Sequence, residues 1–109
     1  MPKSRQEVLA LLHEFRERLA AFYGARLKGV YLYGSYARGE ADDDSDIDVA
    51  IVLAGPVDRA EERWRTNDIA SELSLREDCL LNTAFLSEDE FRQRPFALHR
   101  SVGREGVAV

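Results

Sequence analysis

The stretch GSYARGEADDDSDID, from Gly34 to Asp48, decides how this chain is read. Immediately before it, Leu27 to Tyr33 (LKGVYLY) is a short, nearly continuous apolar run rich in β-branched and aromatic residues, the pattern of a strand buried on both faces. Gly34 and Ser35 end that run and open a helical turn beginning around Tyr36 to Arg38. A glycine at such a junction lets the backbone approach an oxyanion closely. Ser35 adds a hydroxyl, the following N–H groups lie at a helix start, and Arg38 supplies a guanidinium. Gly34, Ser35 and Arg38 are therefore candidate phosphate-binding residues. A Gly-Ser pair alone also suits an ordinary strand-to-helix turn with a serine cap.

Downstream, Ser45 to Leu53 (SDIDVAIVL) predicts a second strand whose amino-terminal end carries Asp46 and Asp48. Residues two apart on a strand project from one face, where two carboxylates repel unless a cation lies between them. Mg²⁺ suits such a pair, because it takes hard oxygen ligands and completes its shell with substrate phosphates and water. Glu40, Asp42, Asp43 and Asp44 form the acidic run of a solvated loop and receive no ligand role.

Further outward, Ser4 and Glu7 form a capping box for a helix ending near Gly24, with Val8, Leu12, Phe15, Leu19 and Phe22 on its apolar stripe. After Pro56, Asp58 and Glu61 cap a helix to about Leu75, with Trp64, Ile69 and Leu73 facing inward. Cys79 to Leu86 (CLLNTAFL) predicts a third strand. Ser87 and Glu90 then cap a helix that Pro95 interrupts before the closing segment. The order α-β-β-α-β-α implies an α/β (α+β) fold, one mixed sheet covered by helices, in a single domain over residues 1–109.

The 109 residues carry a formal charge of −5, which opposes a polyanionic partner and disfavours direct nucleic-acid binding. The absence of a long apolar run or an apolar leader argues against membrane insertion and for a cytoplasmic protein. A core of this size leaves room for self-association into a homo-oligomer. Cys79, the lone cysteine, reads as core, as do the aromatics Tyr31, Tyr33, Tyr36 and Trp64, for which stacking on a nucleobase is the alternative. His13 and His99 have no second histidine or cysteine at ligand spacing.

The two halves of the motif together resemble the minimal nucleotidyltransferases, which share the fold of DNA polymerase β and kanamycin nucleotidyltransferase. Their signature, Gly-Ser-x-Ala-x-Gly followed by Ser-Asp-x-Asp, is matched by Gly34-Ser35-Tyr36-Ala37-Arg38-Gly39 and Ser45-Asp46-Ile47-Asp48. A looser likeness runs through the third strand to a tail at Arg100 to Gly103 or Arg104 to Gly106. The resemblance implies Mg²⁺ held by Asp46 and Asp48, in a one- or two-ion site, and transfer of a nucleotidyl group from ATP to a hydroxyl. It also implies a third carboxylate on the next strand. Asn82 stands at that position, and an amide carries no charge and cannot act as a base. Asp78, the nearest acid upstream, would lie roughly 13 Å away along an extended strand.

Stand-alone members of this family are similar to antitoxins that adenylylate a tyrosine of a helical HEPN-type toxin. That partner is the expected acceptor. Two alternatives accompany it: a nucleotide-binding module that neutralises a partner without catalysis, and a small-molecule (antibiotic) nucleotidyltransferase subunit.

Overall fold

The computed structural model describes residues 2–94 and 97–109, without the side chains of Ala97 and His99. The expectations for Pro95 and His99 lie outside what is described. Helix α1 (Arg5–Tyr23) starts at the Ser4/Glu7 capping box: the Ser4 hydroxyl accepts the Glu7 N–H, and the Glu7 carboxylate accepts the Ser4 N–H. A 3₁₀ turn (Gly24–Arg26) leads into strand β1 (Leu27–Tyr33), and the single-turn helix α2 (Ser35–Arg38) follows Gly34. Then come β2 (Ile47–Leu53), α3 (Arg59–Arg76), β3 (Leu81–Ser87), α4 (Glu88–Gln93), α5 (Ala97–Glu105) and β4 (Val107–Ala108).

The strands form one mixed sheet in the order β3-β2-β1-β4. Strand β2 runs antiparallel to β1, pairing Asp48 with Tyr33, and parallel to β3, pairing Asp48 with Asn82. The parallel pair needs a crossover, and α3 provides it. Alternation along the strands divides the side chains between two faces. Val30, Leu32, Val49, Ile51, Leu53, Leu81 and Phe85 form one face and share a core with Val8, Leu12, Phe15 and Leu19 of α1 and Leu73 of α3. Ala50, Val52 and Leu86 form the other, with Val102 of α5 and, less buried, Tyr31, Tyr33, Phe91 and Leu98. Asp48 and Asn82 belong by parity to this second face, at the end of the sheet where β2 and β3 begin.

Several expectations are corrected. Phe22 is 42% exposed and Trp64 80% exposed. The inward stripe of α3 is Glu62, Thr66, Ile69 and Leu73, so Trp64, two residues from Glu62, sits about 200° around the helix and faces out. Periodicity misplaced it because polar residues occupy the first buried turns. Phe22 is instead covered on its ring by the Arg65 guanidinium, 5.0 Å from the centroid. Strand β2 begins at Ile47, so Asp46 lies just ahead of it, and β3 begins at Leu81. Asp78 is not on an extended strand at all: it has φ 50° in the turn closing α3, which sets aside the 13 Å separation. Strand β4 was not expected; it pairs Val107 with Leu32 and Ala108 with Tyr31. Cys79 is half-buried against the core, as expected.

Candidate active site

Gly34 adopts φ 75°, ψ −155°, a conformation essentially confined to glycine. A Cβ at this position would also collide with the Asp48 carboxylate. Conformation and crowding thus both require glycine between β1 and α2, and the result is a backbone pressed against the half-buried carboxylate. Helix α2 is one turn long, with Arg38 N–H donating to Gly34 O and Gly39, at φ 74°, closing it. So short a helix carries little macrodipole, and its capacity for an anion rests on the first N–H groups, which have no partner within the helix, and on the Ser35 hydroxyl.

On the other flank of Asp48, Asn82 is its register partner, and the Asn82 Nδ2 amide donates to Asp48 Oδ1 over 2.9 Å. Asn82, expected at the third carboxylate position, thus lies directly beside Asp48 in the sheet. Asp46 is exposed and lines a cavity of about 340 Å³ with Tyr36, Ser45, Asp78 and Leu80. Gly34, Asp48 and Asn82 are brought into contact, whereas Asp46 stands one residue beyond the strand.

Arg38 is engaged by carboxylates: Nε donates to Glu40 (3.0 Å) and Nη1 to Glu105 of α5 (3.2 Å). The Glu40 hydrogen bond, with Glu105 in support, raises its already high pKa. These pairs are exposed and weak, so a phosphate could compete for the guanidinium. The acidic loop is organised by Asp42, whose carboxylate accepts the Asp44 N–H while its own N–H donates to the Ser45 hydroxyl.

Two neighbours carried no motif signal. Tyr33 pairs with Asp48 across the β1–β2 ladder, and burial, then the Asp48 charge, push its phenol pKa upward against Arg63. Arg63 donates from Nη2 to the Thr83 carbonyl beside Asn82 (3.1 Å). The register of strand pairing places Tyr33, and the packing of α3 against β3 places Arg63.

Among the described residues no three His, Cys, Asp or Glu side chains converge as a metal cage. The donor set, two carboxylates with the Gly34 backbone beside one of them, fits an ion that takes the remainder of its shell from triphosphate and water, as Mg²⁺ does.

The nucleotidyltransferase domain profile matches residues 12–102. A protein of Methanocaldococcus jannaschii, provisionally named a protein adenylyltransferase, is 35% identical over 96 residues, covering 87% of this chain and 90% of its own. A crystal structure from Sulfolobus solfataricus, provisionally described as a nucleotidyltransferase, superposes with a TM-score of 0.68 at 24% identity, over 99% of this chain and 87% of that one. A toxin–antitoxin crystal structure with AMP-PNP superposes with a TM-score of 0.59 at 24% identity, over 97% and 72% of the two chains. These two structures share the fold described above.

Proposed function

The chain belongs to the nucleotidyltransferase domain family and is thereby a transferase, and from this premise we propose that it moves AMP from ATP to a hydroxyl of a partner protein. The acceptor we infer is a tyrosine of a helical HEPN-type toxin, which makes this chain the antitoxin, acting in the cytoplasm where ATP is supplied. The observation that carries the chemistry is the glycine-only backbone of Gly34 packed directly against the Asp48 carboxylate, which sets the turn that opens α2 beside a candidate metal ligand. Support for a protein acceptor comes from the M. jannaschii relative, whose name specifies a protein substrate and whose length this chain nearly spans. The net negative charge argues against a nucleic-acid acceptor.

In this reading Gly34 and Ser35, with Arg38 exchanging its carboxylate partners for phosphate, orient the triphosphate. Asp46 and Asp48 would hold Mg²⁺, which when bound neutralises charge on the phosphates in transfer. The acceptor oxygen forms a bond to the α-phosphorus, the bond from that phosphorus to the β-phosphate bridging oxygen breaks, and pyrophosphate departs. Asn82 cannot receive the hydroxyl proton, which leaves to the solvent that reaches this exposed residue.

Mixing the chain with the product of its adjoining gene, ATP and Mg²⁺ tests this: the partner gains about 329 Da per AMP, and Asp48→Ala abolishes the gain. Asn82 favours a second reading, neutralisation by binding alone. Inhibition of the partner without ATP, retained in Asp48→Ala, would establish that reading instead.

A further inference from the structure

We propose that Asn82 limits this centre to a single nucleotide-bound divalent ion, by presenting a hydrogen-bond donor to Asp48 where a second ion requires another anionic oxygen. This rests on the nucleotide-binding reading above and goes beyond it, because it concerns how many ions the site accepts.

The sheet register sets the pair side by side, with Asp48 opposite Asn82 on adjacent parallel strands. Their 2.9 Å contact fixes which end of the amide faces the carboxylate. A carboxylate is acceptor-only when ionised, so the opposite amide orientation would set two oxygens against each other. The NH₂ group therefore points at Oδ1 and the amide oxygen points elsewhere. One acceptor direction of Asp48 is taken by a neutral donor.

Paired divalent ions sit roughly 3.5–4 Å apart and repel strongly, and sites that hold them do so by surrounding both with negative charge. Among the described residues no three acidic or other ligating side chains converge here. Asp43, Asp44, Glu77 and Asp78 also line the cavity beside Asp46, but none of them lies on β3, and the left-handed turn at Asp78 ahead of that strand keeps it off the position that Asn82 occupies. Asn82 is thus a positioning residue. It holds the Asp48 carboxylate for one ion shared with the triphosphate and contributes no charge toward another.

Counting bound Mn²⁺ by electron paramagnetic resonance, with the protein saturated by α,β-methylene-ATP, decides the matter without reference to turnover. About one nucleotide-dependent Mn²⁺ per chain is expected in the wild type and in Asn82→Ala, and about two in Asn82→Asp. Two ions in the wild type would overturn the proposal, as would a single ion in an Asn82→Asp protein that melts like the wild type. Should the Asp variant not fold, the wild-type count decides alone. A wild type that binds Mn²⁺ without any dependence on nucleotide overturns the nucleotidyltransfer reading itself, an outcome distinct from a count of two.

Discussion

At the scale of single residues the shape of the site depends on Gly34, which has no side chain at all. Substitution by alanine imposes a backbone conformation that non-glycine residues avoid, at a cost of about 1–3 kcal/mol, and drives the new methyl group into Asp48. Gly34→Ala is expected to lower stability by at least this amount and to displace the carboxylate, so nucleotide affinity falls with it. Urea unfolding and calorimetric titration of α,β-methylene-ATP measure the two effects. An unchanged unfolding midpoint would show that the turn relaxes freely, against the geometry described. The motif reading named Gly34, Asp48 and Asn82, and the structure sets them side by side because each has a fixed place in a strand or turn. It misjudged Asp78, since a left-handed turn cannot be seen in a residue type that also populates strands and loops.

Among the elements, strand β3 lies at the edge of the sheet and is protected by side chains of its own crossover helix. Arg63 donates to the Thr83 carbonyl and Arg59 to the Phe85 carbonyl, each over 3.1 Å, while the Ser74 hydroxyl accepts the Leu81 N–H over 3.3 Å. An edge whose polar groups are already partnered is a poor template for pairing with another chain. The double variant Arg59→Ala/Arg63→Ala should lose about 1–3 kcal/mol and self-associate more than the wild type. Light scattering across a concentration series tests this, and a variant that scatters like the wild type at the highest concentration would mean that the arginines do not guard the edge. The helices were legible in the sequence wherever a local rule sets their start: Ser4, Asp58 and Ser87 each accept an N–H three residues on. Strand β4 was not, because two residues are too few for any periodicity. It forms because Val109 N–H can reach the Val30 carbonyl once the chain has crossed the sheet, a contact set by tertiary structure.

The whole molecule is tied together by Glu62, buried to 3% exposure on the inward face of α3. It accepts from Tyr23 at the end of α1, from Arg26 in the 3₁₀ turn and from Arg65 one turn on, all within 2.9–3.1 Å. Arg26 in turn donates to the carbonyls of Ala54 and Pro56, so one carboxylate joins α1, the start of β1, the β2–α3 connection and α3. Burial raises the Glu62 pKa, but the hydrogen bonds from Arg26 and Tyr23 outweigh it and the net shift is downward. A carboxylate with a lowered folded-state pKa gives stability that is complete above its unfolded value, near 4.5, and lost as the pH falls through the folded one. Glu7 and Glu14, also lowered, add to the same acid limb. Melting temperatures should therefore hold from neutrality to about pH 5 and drop below it. Glu62→Gln is expected to cost about 2 kcal/mol at neutral pH, and its melting curve should fall less steeply in acid. A variant with the acid slope of the wild type would assign that slope to other groups. None of this was foreseeable from periodicity, which treats a glutamate in the first turns of a helix as a solvated charge.

The single tryptophan, Trp64, stands almost fully in solvent beside Phe22. Its indole meets much the same dielectric whether the chain is folded or not, so intrinsic fluorescence will be nearly silent through denaturation. The same silence gives a dark background against which a protein that settles over α1 and α3 announces itself, as a blue shift in emission, with no label attached.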